Sequence, residues 1–259
     1  MRPAVLITGG GTGIGAATAR RLAADGWLVG LVGRRPEPLE DVARETHGLA
    51  LPGDAADLDH LEAAVVALRA AGGTLRALVC SAGGGSSGSA TTQTQEAFES
   101  VLRQNLTAPF LAAKACLPEL IRNRGSIVIV ASLAGLRAGP EAIAYGSAKA
   151  GAIHLARMLA VDHGPQCVRA NSVCPGWVRT PMADAALDQL AERTGGLDAA
   201  YAEATRYAPA RRAADADEVA STIAWLVSDQ ASGITGATLT VDGGAHVVDA
   251  EGIAFLPQG

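Results

Sequence analysis

Short apolar runs alternate with longer helical stretches along nearly the whole chain, and this rhythm limits the fold more than any other feature. The runs are rich in Val, Leu and Ile and span residues 3–8, 27–32, 48–52, 75–80, 126–131, 167–173 and 237–241. The stretches with helical spacing are residues 13–24, 57–70, 95–122, 142–162 and 215–228. Strands that are apolar on both faces and alternate with helices are typical of a parallel sheet covered on both sides.

This rhythm predicts one α/β domain over residues 1–259, with a Rossmann-type, doubly wound, seven-stranded parallel sheet and helices on both faces. Pro109 and Pro118 are expected to mark bends or boundaries within 95–122. The segment 83–89 has the composition of a linker. It directly follows a buried strand, however, and the βα rhythm resumes after it, which favours an active-site loop.

Composition and charge exclude several functions. The net charge is −5 without a dense basic stripe, which argues against a nucleic-acid or anionic-membrane partner. A span of about 18 apolar residues and a signal-peptide pattern are both absent from the sequence, so we expect a cytoplasmic protein. The four cysteines form no C-x-x-C pair and the five histidines have no metal-ligand spacing, which predicts reduced thiols and no metal site.

A glycine-rich turn joins the first apolar run to the first helical stretch. The sequence "TGGGTGIG" (8–15) spaces Gly9, Gly13 and Gly15 as G-x-x-x-G-x-G, not as the usual G-x-G-x-x-G. Such a turn lets backbone N–H groups approach a pyrophosphate, whose charge the helix dipole favours. A simple chain reversal is the alternative, but the position in the first βα unit favours nucleotide binding.

The second apolar run is followed by two cations. A carboxylate at the end of this strand would bind the adenosine ribose of NAD, but the residues here are Gly33, Arg34 and Arg35. An arginine at this place suits the 2′-phosphate of NADP. The pattern therefore favours NADP, with NAD and two solvent-facing arginines as the alternative.

Tyr145 and Lys149 form the most distinctive pair of side chains. The chain has three tyrosines and only two lysines among its 21 Lys and Arg residues, yet these two lie four residues apart on a predicted helix. Positions i and i+4 share a helix face. A phenol has an unperturbed pKa of about 10, and a nearby ammonium is expected to lower it. Ser132 ends a predicted strand 13 residues before Tyr145.

Taken together, these motifs resemble the short-chain dehydrogenase/reductase family, in its 3-oxoacyl-reductase-like branch. The matching residues are 8–15, Asp54, "SAG" (81–83), Asn105, Ser132, Tyr145, Lys149, "PGWVRTPM" (175–182) and "ITGATLTVDGG" (234–244). The family often has "NNAG" where this chain has "CSAG" (80–83), and Ser81 can replace only some of the hydrogen bonds of an asparagine.

The resemblance implies the catalytic roles. Tyr145 would be the general acid/base, and Lys149 would lower its pKa and hold the nicotinamide ribose. Ser132 would hydrogen-bond the substrate oxygen. Asn105 would support a water that relays protons through Lys149.

The resemblance also implies the residues that hold the cofactor. Asp54 would contact the adenine, and Thr180 would contact the nicotinamide amide. The other positions expected at the cofactor are Gly9, Thr12, Gly13, Ile14, Gly15, Arg34, Arg35, Ala55, Ser81, Ala82, Gly83, Tyr145, Lys149, Pro175, Gly176 and Val178.

The expected function is an oxidoreductase that transfers a hydride between NADP(H) and a ketone or secondary alcohol. Within the family, the alternative is an NAD-dependent dehydrogenase of a sugar, a polyol or a hydroxyacyl thioester. A non-catalytic dinucleotide sensor on the same fold is the alternative of another class. A sensor needs no tuned phenol, so the intact Ser132, Tyr145 and Lys149 favour the enzyme.

Substrate choice is expected in the segments beyond the carboxyl ends of the strands: 83–94, 133–144, 176–206 and the tail, 245–259. Segment 183–206 is predicted to form two short helices broken at Gly195–Gly196, as a lid. The apolar part of the tail is covered either by its own subunit or by a neighbour, and the sequence leaves both open. The helical stretches around "LTAPFLAAKACL" and after Tyr145 are apolar on several faces and need cover on each. The family resemblance implies that other subunits supply this cover in a homotetramer.

Overall fold

The computed structural model describes residues 2–249 and 251–255. Within these ranges there are nine strands: β1 (Arg2–Thr8), β2 (Leu28–Gly33), β3 (Leu49–Pro52), β4 (Gly73–Cys80), β5 (Ser126–Val130), β6 (Arg169–Pro175), β7 (Val178–Arg179), β8 (Ala214–Asp215) and β9 (Thr238–Val241). Seven of them form one parallel sheet in the order β3-β2-β1-β4-β5-β6-β9. Each predicted apolar run supplies one of these strands, which confirms the predicted sheet.

The sixth strand is displaced from its predicted position. It was expected at 167–173 but begins at Arg169, because Cys167 has a left-handed φ of 61° in a turn after the preceding helix. A residue in that conformation cannot continue an extended ladder.

Nine α-helices are described: α1 (Gly13–Ala24), α2 (Pro36–Thr46), α3 (Leu58–Ala70), α4 (Gln95–Leu102), α5 (Ala108–Asn123), α6 (Ile143–His163), α7 (Pro181–Thr194), α8 (Leu197–Ala204) and α9 (Ala216–Val227). The sequence analysis does not predict α2. Its buried stripe is short, with Leu39, Val42, Ala43 and Thr46 at helical spacing, and most of its other residues are charged or proline. The proline in its first turn is compatible with a helix start.

The core consists of two layers, one on each face of the sheet. Val5 and Ile7 of β1 belong to the layer that α1, α2 and α9 cover, whereas Ala4 and Leu6 belong to the layer under α3, α5 and α6. All four side chains are fully buried. The two-residue period of a strand sends alternate side chains to opposite faces, so a central strand must be apolar throughout.

The long helical stretch 95–122 is interrupted. A π-helical turn (Arg103–Thr107) separates α4 from α5, and Pro109 lies in the first turn of α5. Pro118 lies inside α5, which continues to Asn123, so of the two predicted alternatives a helix boundary there is wrong and a bend stays a prediction. The π turn has a consequence for function because it contains Asn105.

The site is positioned by the strand order. The order of connections reverses between β1 and β4, which leaves a crevice at the carboxyl end of the sheet. β7 and β8 pair with each other, and the predicted helix pair, α7 and α8, lies between them in the chain.

Candidate active site

A cleft of about 1440 Å³ opens at the carboxyl ends of the strands. It brings together all the residues that the sequence predicts for the cofactor and the chemistry, with the exception of Gly15, which lies behind the wall. Residues far apart in the chain therefore share one surface.

Gly9 and Gly15 allow the tight turn between β1 and α1. Gly9 has a φ of 70°, and a Cβ at this position would lie 2.7 Å from the backbone nitrogen of Ala82. A Cβ at Gly15 would lie 2.1 Å from the carbonyl oxygen of Gly9. Only glycine fits these two positions, and Gly15 acts through packing and not through contact with the cleft.

The N-terminus of α1 opens towards the cleft. Thr12 stands at its N-cap in an extended conformation, and none of the described side chains caps the first N–H groups. The first turn also contains no acidic residue. These N–H groups and the helix dipole are therefore available to an anion. Ile14, in the same turn, also lines the cleft.

Two arginines and one carboxylate define one end of the cleft. Arg34 and Arg35 follow β2, are exposed and line the wall. Asp54 follows β3 and accepts hydrogen bonds from the N–H of Ala56 at 2.9 Å and from Arg103 at 2.8 Å. Partial burial opposes its ionisation, but these two bonds and the charges of Arg103 and Arg34 hold the pKa of Asp54 below its usual value.

The segment after β4 is fixed by its backbone. The N–H of Ser81 donates to the carbonyl of Thr8 at 3.1 Å, and the N–H of Ala82 donates to the hydroxyl of Thr8 at 3.2 Å. These bonds join the ends of β1 and β4 without the asparagine that the family often has here. Gly83 and Ala55 complete this part of the wall.

Asn105 carries an unused acceptor beside Lys149. Its amide nitrogen donates to the carbonyls of Gly84 at 2.6 Å and Val101 at 2.9 Å. Its carbonyl oxygen is buried and has no hydrogen-bond partner among the described residues. A Cβ at Gly83 would lie 2.6 Å from this oxygen and 3.5 Å from Nζ of Lys149, so both groups border one small space.

Ser132 and Tyr145 face each other across the cleft wall. Ser132 precedes a 3₁₀ turn, and its hydroxyl accepts a hydrogen bond from the N–H of Ala134 at 3.2 Å. Burial raises the pKa of Tyr145, and hydrogen bonding by Ser132 only partly opposes this. The pKa of Tyr145 is therefore raised and not lowered as expected, because desolvation of the phenolate outweighs the hydrogen bond from Ser132.

Lys149 is a buried ammonium. Its side chain is 6% exposed, and Nζ donates to the carbonyl of Val130 at 2.8 Å. Nζ lies 5.6 Å from the centre of the Tyr145 ring. Burial lowers the pKa of Lys149 to about 8, against the opposing effect of the thiols of Cys174 and Cys80.

The segment after β6 forms the opposite wall. A Cβ at Gly176, which follows Pro175, would lie 3.0 Å from Cβ of Asp242. Val178 is buried, and the hydroxyl of Thr180 accepts from the N–H of Ala183 at 3.3 Å, which caps α7. The cap places Thr180 against the N-terminus of α1, where a Cβ on Gly13 would lie 3.1 Å from Cγ2 of Thr180.

The substrate end of the cleft includes residues that the sequence predicts only as parts of segments, and one, Tyr207, that lies just outside those segments. Trp177, Met182 and Tyr207 line it together with loop residues such as Ser86. Each of these three large side chains is more than a third exposed. For Trp177 and Met182, the position of an apolar residue just after a strand end is the signal that could have identified them.

The tail lies at the same end of the cleft. The cleft of the same chain is lined by three residues of the tail, Ala245, Val248 and Ile253. This favours cover of the tail by its own subunit over cover by a neighbouring subunit. Of the tail expected at 245–259, Ala250 and residues 256–259 lie outside the described residues, as does Met1 of the domain expected at 1–259.

Metal and membrane features were searched in the described ranges. Residues 2–249 and 251–255 contain no group of three or more His, Cys, Asp or Glu side chains that could hold a metal ion. None of the helices described is long and apolar enough to cross a lipid bilayer.

Comparisons with known proteins agree with one another. A family model described as enoyl-(acyl carrier protein) reductase matches residues 9–246. Protein MoaE of Klebsiella aerogenes is 42% identical over 98% of this chain and 100% of its own. Meso-2,3-butanediol dehydrogenase of Serratia marcescens is 32% identical over 95% of this chain and 96% of its own. A variant of actinorhodin polyketide ketoreductase, solved with NADPH, is 29% identical with a TM-score of 0.89, covering 95% of this chain and 98% of that one.

Proposed function

The chain belongs to the short-chain dehydrogenase/reductase family and is an NAD(P)-dependent oxidoreductase, and from this premise we propose that it transfers a hydride between NADP(H) and a neutral ketone or secondary alcohol. The observation that carries the proposal is the convergence of Ser132, Tyr145, Lys149 and the Asn105 oxygen, which has no partner among the described residues, at one end of the cleft. Bound there, the nicotinamide would supply or accept the hydride.

The residues present fit a dinucleotide. The uncapped N-terminus of α1 and the turn at Gly9 leave room and N–H donors for a pyrophosphate. Asp54 would accept from the adenine, although its carboxylate already accepts from Ala56 and Arg103. Thr180 would contact the nicotinamide amide from the opposite wall.

Arg34 and Arg35 support NADP over NAD. They are exposed on the cleft wall at the end of β2, where a carboxylate would serve an NAD ribose. Guanidinium groups bind phosphate through paired hydrogen bonds as well as charge. The similar actinorhodin ketoreductase was solved with NADPH.

Tyr145 would act as the proton donor in the reduction of a carbonyl. Its raised pKa keeps the phenol protonated at neutral pH, which a general acid requires. Ser132, directly beside it, would hold the carbonyl oxygen so that the phenol proton reaches it. In the reverse direction the same phenol must lose its proton, which burial makes unfavourable near neutrality.

Lys149 and Asn105 would resupply the proton. The ammonium and the unpaired amide oxygen border the same space beside Gly83, which suits a relayed water between them. With a pKa of about 8, Lys149 can give up and regain a proton near neutral pH more readily than an exposed lysine.

The charges at the substrate end support a neutral substrate. Arg212 is paired with Glu218 through two hydrogen bonds of 2.6 and 2.8 Å. Arg137 donates to two backbone carbonyls of the tail, and Asp242 accepts from His246 at 2.9 Å. The rest of this wall is contributed largely by apolar side chains, such as Trp177, so an anionic thioester would meet few unengaged cations.

The proposal is tested with purified protein and a panel of neutral ketones, secondary alcohols, hydroxy acids and acyl thioesters, followed at 340 nm with NADPH, NADH, NADP and NAD. We expect turnover of neutral ketones with NADPH, and loss of turnover in a folded Tyr145→Phe variant. Turnover confined to thioesters or to NADH would contradict the substrate or cofactor assignment. Tight cofactor binding without any turnover would favour a sensor.

We propose a homotetramer for the assembly. Phe110 on α5 and Met158 and Val161 on α6 remain 48%, 45% and 71% exposed. Apolar side chains exposed on adjacent helices are typical of a surface that a second subunit covers.

A further inference from the structure

Arg137 connects the catalytic loop with the C-terminal tail. It lies in the connection between Ser132 and Tyr145, just after the 3₁₀ turn. Its Nη1 donates to the carbonyl of Ala245 at 2.6 Å, and its Nη2 donates to the carbonyl of Val248 at 3.0 Å. The two carbonyls lie more than 100 positions away in sequence, and the rigid fork of a guanidinium bridges both.

Asp242 holds the same tail segment from its other side. This buried carboxylate at the end of β9 accepts from the N–H groups of Gly244 at 3.1 Å and His246 at 2.8 Å. Asp242 therefore accepts from two backbone N–H groups of the segment, and Arg137 donates to two of its backbone carbonyls. The segment 245–248 is fixed at both ends to parts of the fold that carry the active site.

The fixed segment presents apolar side chains to the cleft. Val248, at the end of this segment, is partly buried and lines the cleft, as does Ile253 farther along the tail. Met182 and Tyr207 line the same cleft. Val247 points away and is 68% exposed. Val248 thus forms part of the wall, and its neighbour Val247 provides a matched control.

We propose that Arg137 is a positioning residue that holds the C-terminal segment as one wall of the substrate site, and that Val248 and Ile253 select substrates with an apolar group beside the reacting carbonyl. The inference rests on the proposed function for the nature of the substrate, but not for the placement of the wall. The competing role for Arg137 is direct binding of an anionic substrate group.

Hydrogen exchange tests the placement without any turnover. The N–H groups of Ala245 and Val247 donate within the turn to the carbonyls of Asp242 and Gly244, and they report its order. In Arg137→Met we expect faster exchange in peptides covering 245–253, by about tenfold or more, with unchanged exchange in the central strands. Unchanged protection of 245–253 would overturn the proposal, whether or not a substrate is found.

Kinetics test the selection of substrates. With ketones of increasing apolar size, Val248→Ala is expected to lower kcat/KM by about tenfold for the bulkier members, mainly through KM and without a change in cofactor affinity. Val247→Ala should match wild type. Equal effects of the two valine variants would overturn the assignment of Val248 to the wall.

Arg137→Lys separates the two roles of Arg137. A lysine retains the charge, but its single ammonium cannot reproduce the fork between the two carbonyls. We expect this variant to lose protection of 245–253 and kcat/KM for bulky ketones together. If the lysine variant loses protection but retains wild-type KM, the charge acts on the substrate directly and the proposal is wrong.

Discussion

Replacing Lys149 by methionine is expected to change how the stability of the protein depends on pH. Methionine keeps the length and apolar stem of the side chain but removes the buried ammonium. Burial lowers the pKa of Lys149 from 10.5 to about 8. At every pH at which the lysine is protonated, its buried charge therefore destabilises the folded state. The wild type should therefore gain stability relative to the variant as the pH rises above about 8.

The sign follows from proton binding. Below about pH 8 the lysine is charged in the folded and in the unfolded chain, so the full cost of burying the charge is present. Between about 8 and 10.5 the unfolded chain binds the proton and the folded chain does not, so stability rises with pH. Above 10.5 both states are neutral and the cost is gone.

The size of the effect follows from the same two values. The difference between 10.5 and about 8, at about 1.36 kcal/mol per pH unit, corresponds to about 3 kcal/mol of unfolding free energy. Lys149→Met also removes the hydrogen bond to Val130, at a cost of about 1–3 kcal/mol. That loss changes the unfolding free energy of the variant by the same amount at every pH. The difference in slope between the wild-type and variant plots of unfolding free energy against pH is therefore unaffected.

Urea unfolding of both proteins from pH 7 to 10.5, at one protein concentration and ionic strength, measures this slope. The other lysine of the chain provides the control: Lys114 is exposed on α5, and Lys114→Met should run parallel to wild type. A difference between wild type and Lys149→Met that stays constant to within about 0.5 kcal/mol over this range would refute the buried ammonium.

Four further predictions concern activity and assembly. Lys149→Arg should lose on the order of 100-fold in turnover, because the wider guanidinium displaces its neighbours by about 1 Å. Circular dichroism should show that the variant keeps its fold, and near wild-type turnover would contradict the proposed role of Lys149. Tyr145→Phe should lose at least as much, since it removes the proton donor, and a folded, active variant would show that another group donates. Arg34→Ala should weaken NADP binding by about 10- to 150-fold and leave NAD binding nearly unchanged; equal weakening of both cofactors would assign Arg34 a structural role. Light scattering should give the mass of a tetramer at micromolar concentration, and a stable monomer would contradict the assembly.

Much of the fold follows from local patterns. Each of the seven apolar runs became a strand because a strand between two helical layers must be apolar on both faces. The break at Gly195–Gly196 separates α7 from α8 as expected, and both glycines have positive φ. Helix α2 was missed because only a short apolar stripe within a charged segment marks it.

The sequence identifies which residues belong to the candidate site, but not how they are arranged or buried. Residue types and spacing identify Tyr145, Lys149 and the glycine turn, since these depend on neighbours in the chain and on chemistry. Sequence spacing could not give the sign of the pKa change at Tyr145. Burial is summed over contacts from the whole fold, and its effect exceeded that of the hydrogen bond from Ser132.

The amino-acid sequence by itself thus determined the strands, most of the helices and the set of side chains that can perform the chemistry. Only the tertiary structure decided the π turn that aims Asn105 at the space beside Lys149, and the bridge from Arg137 to the tail. The physical reason is the range of the interactions involved. Periodicity and propensity act over a few residues, whereas a desolvated ammonium and a two-carbonyl bridge depend on groups that folding alone brings together.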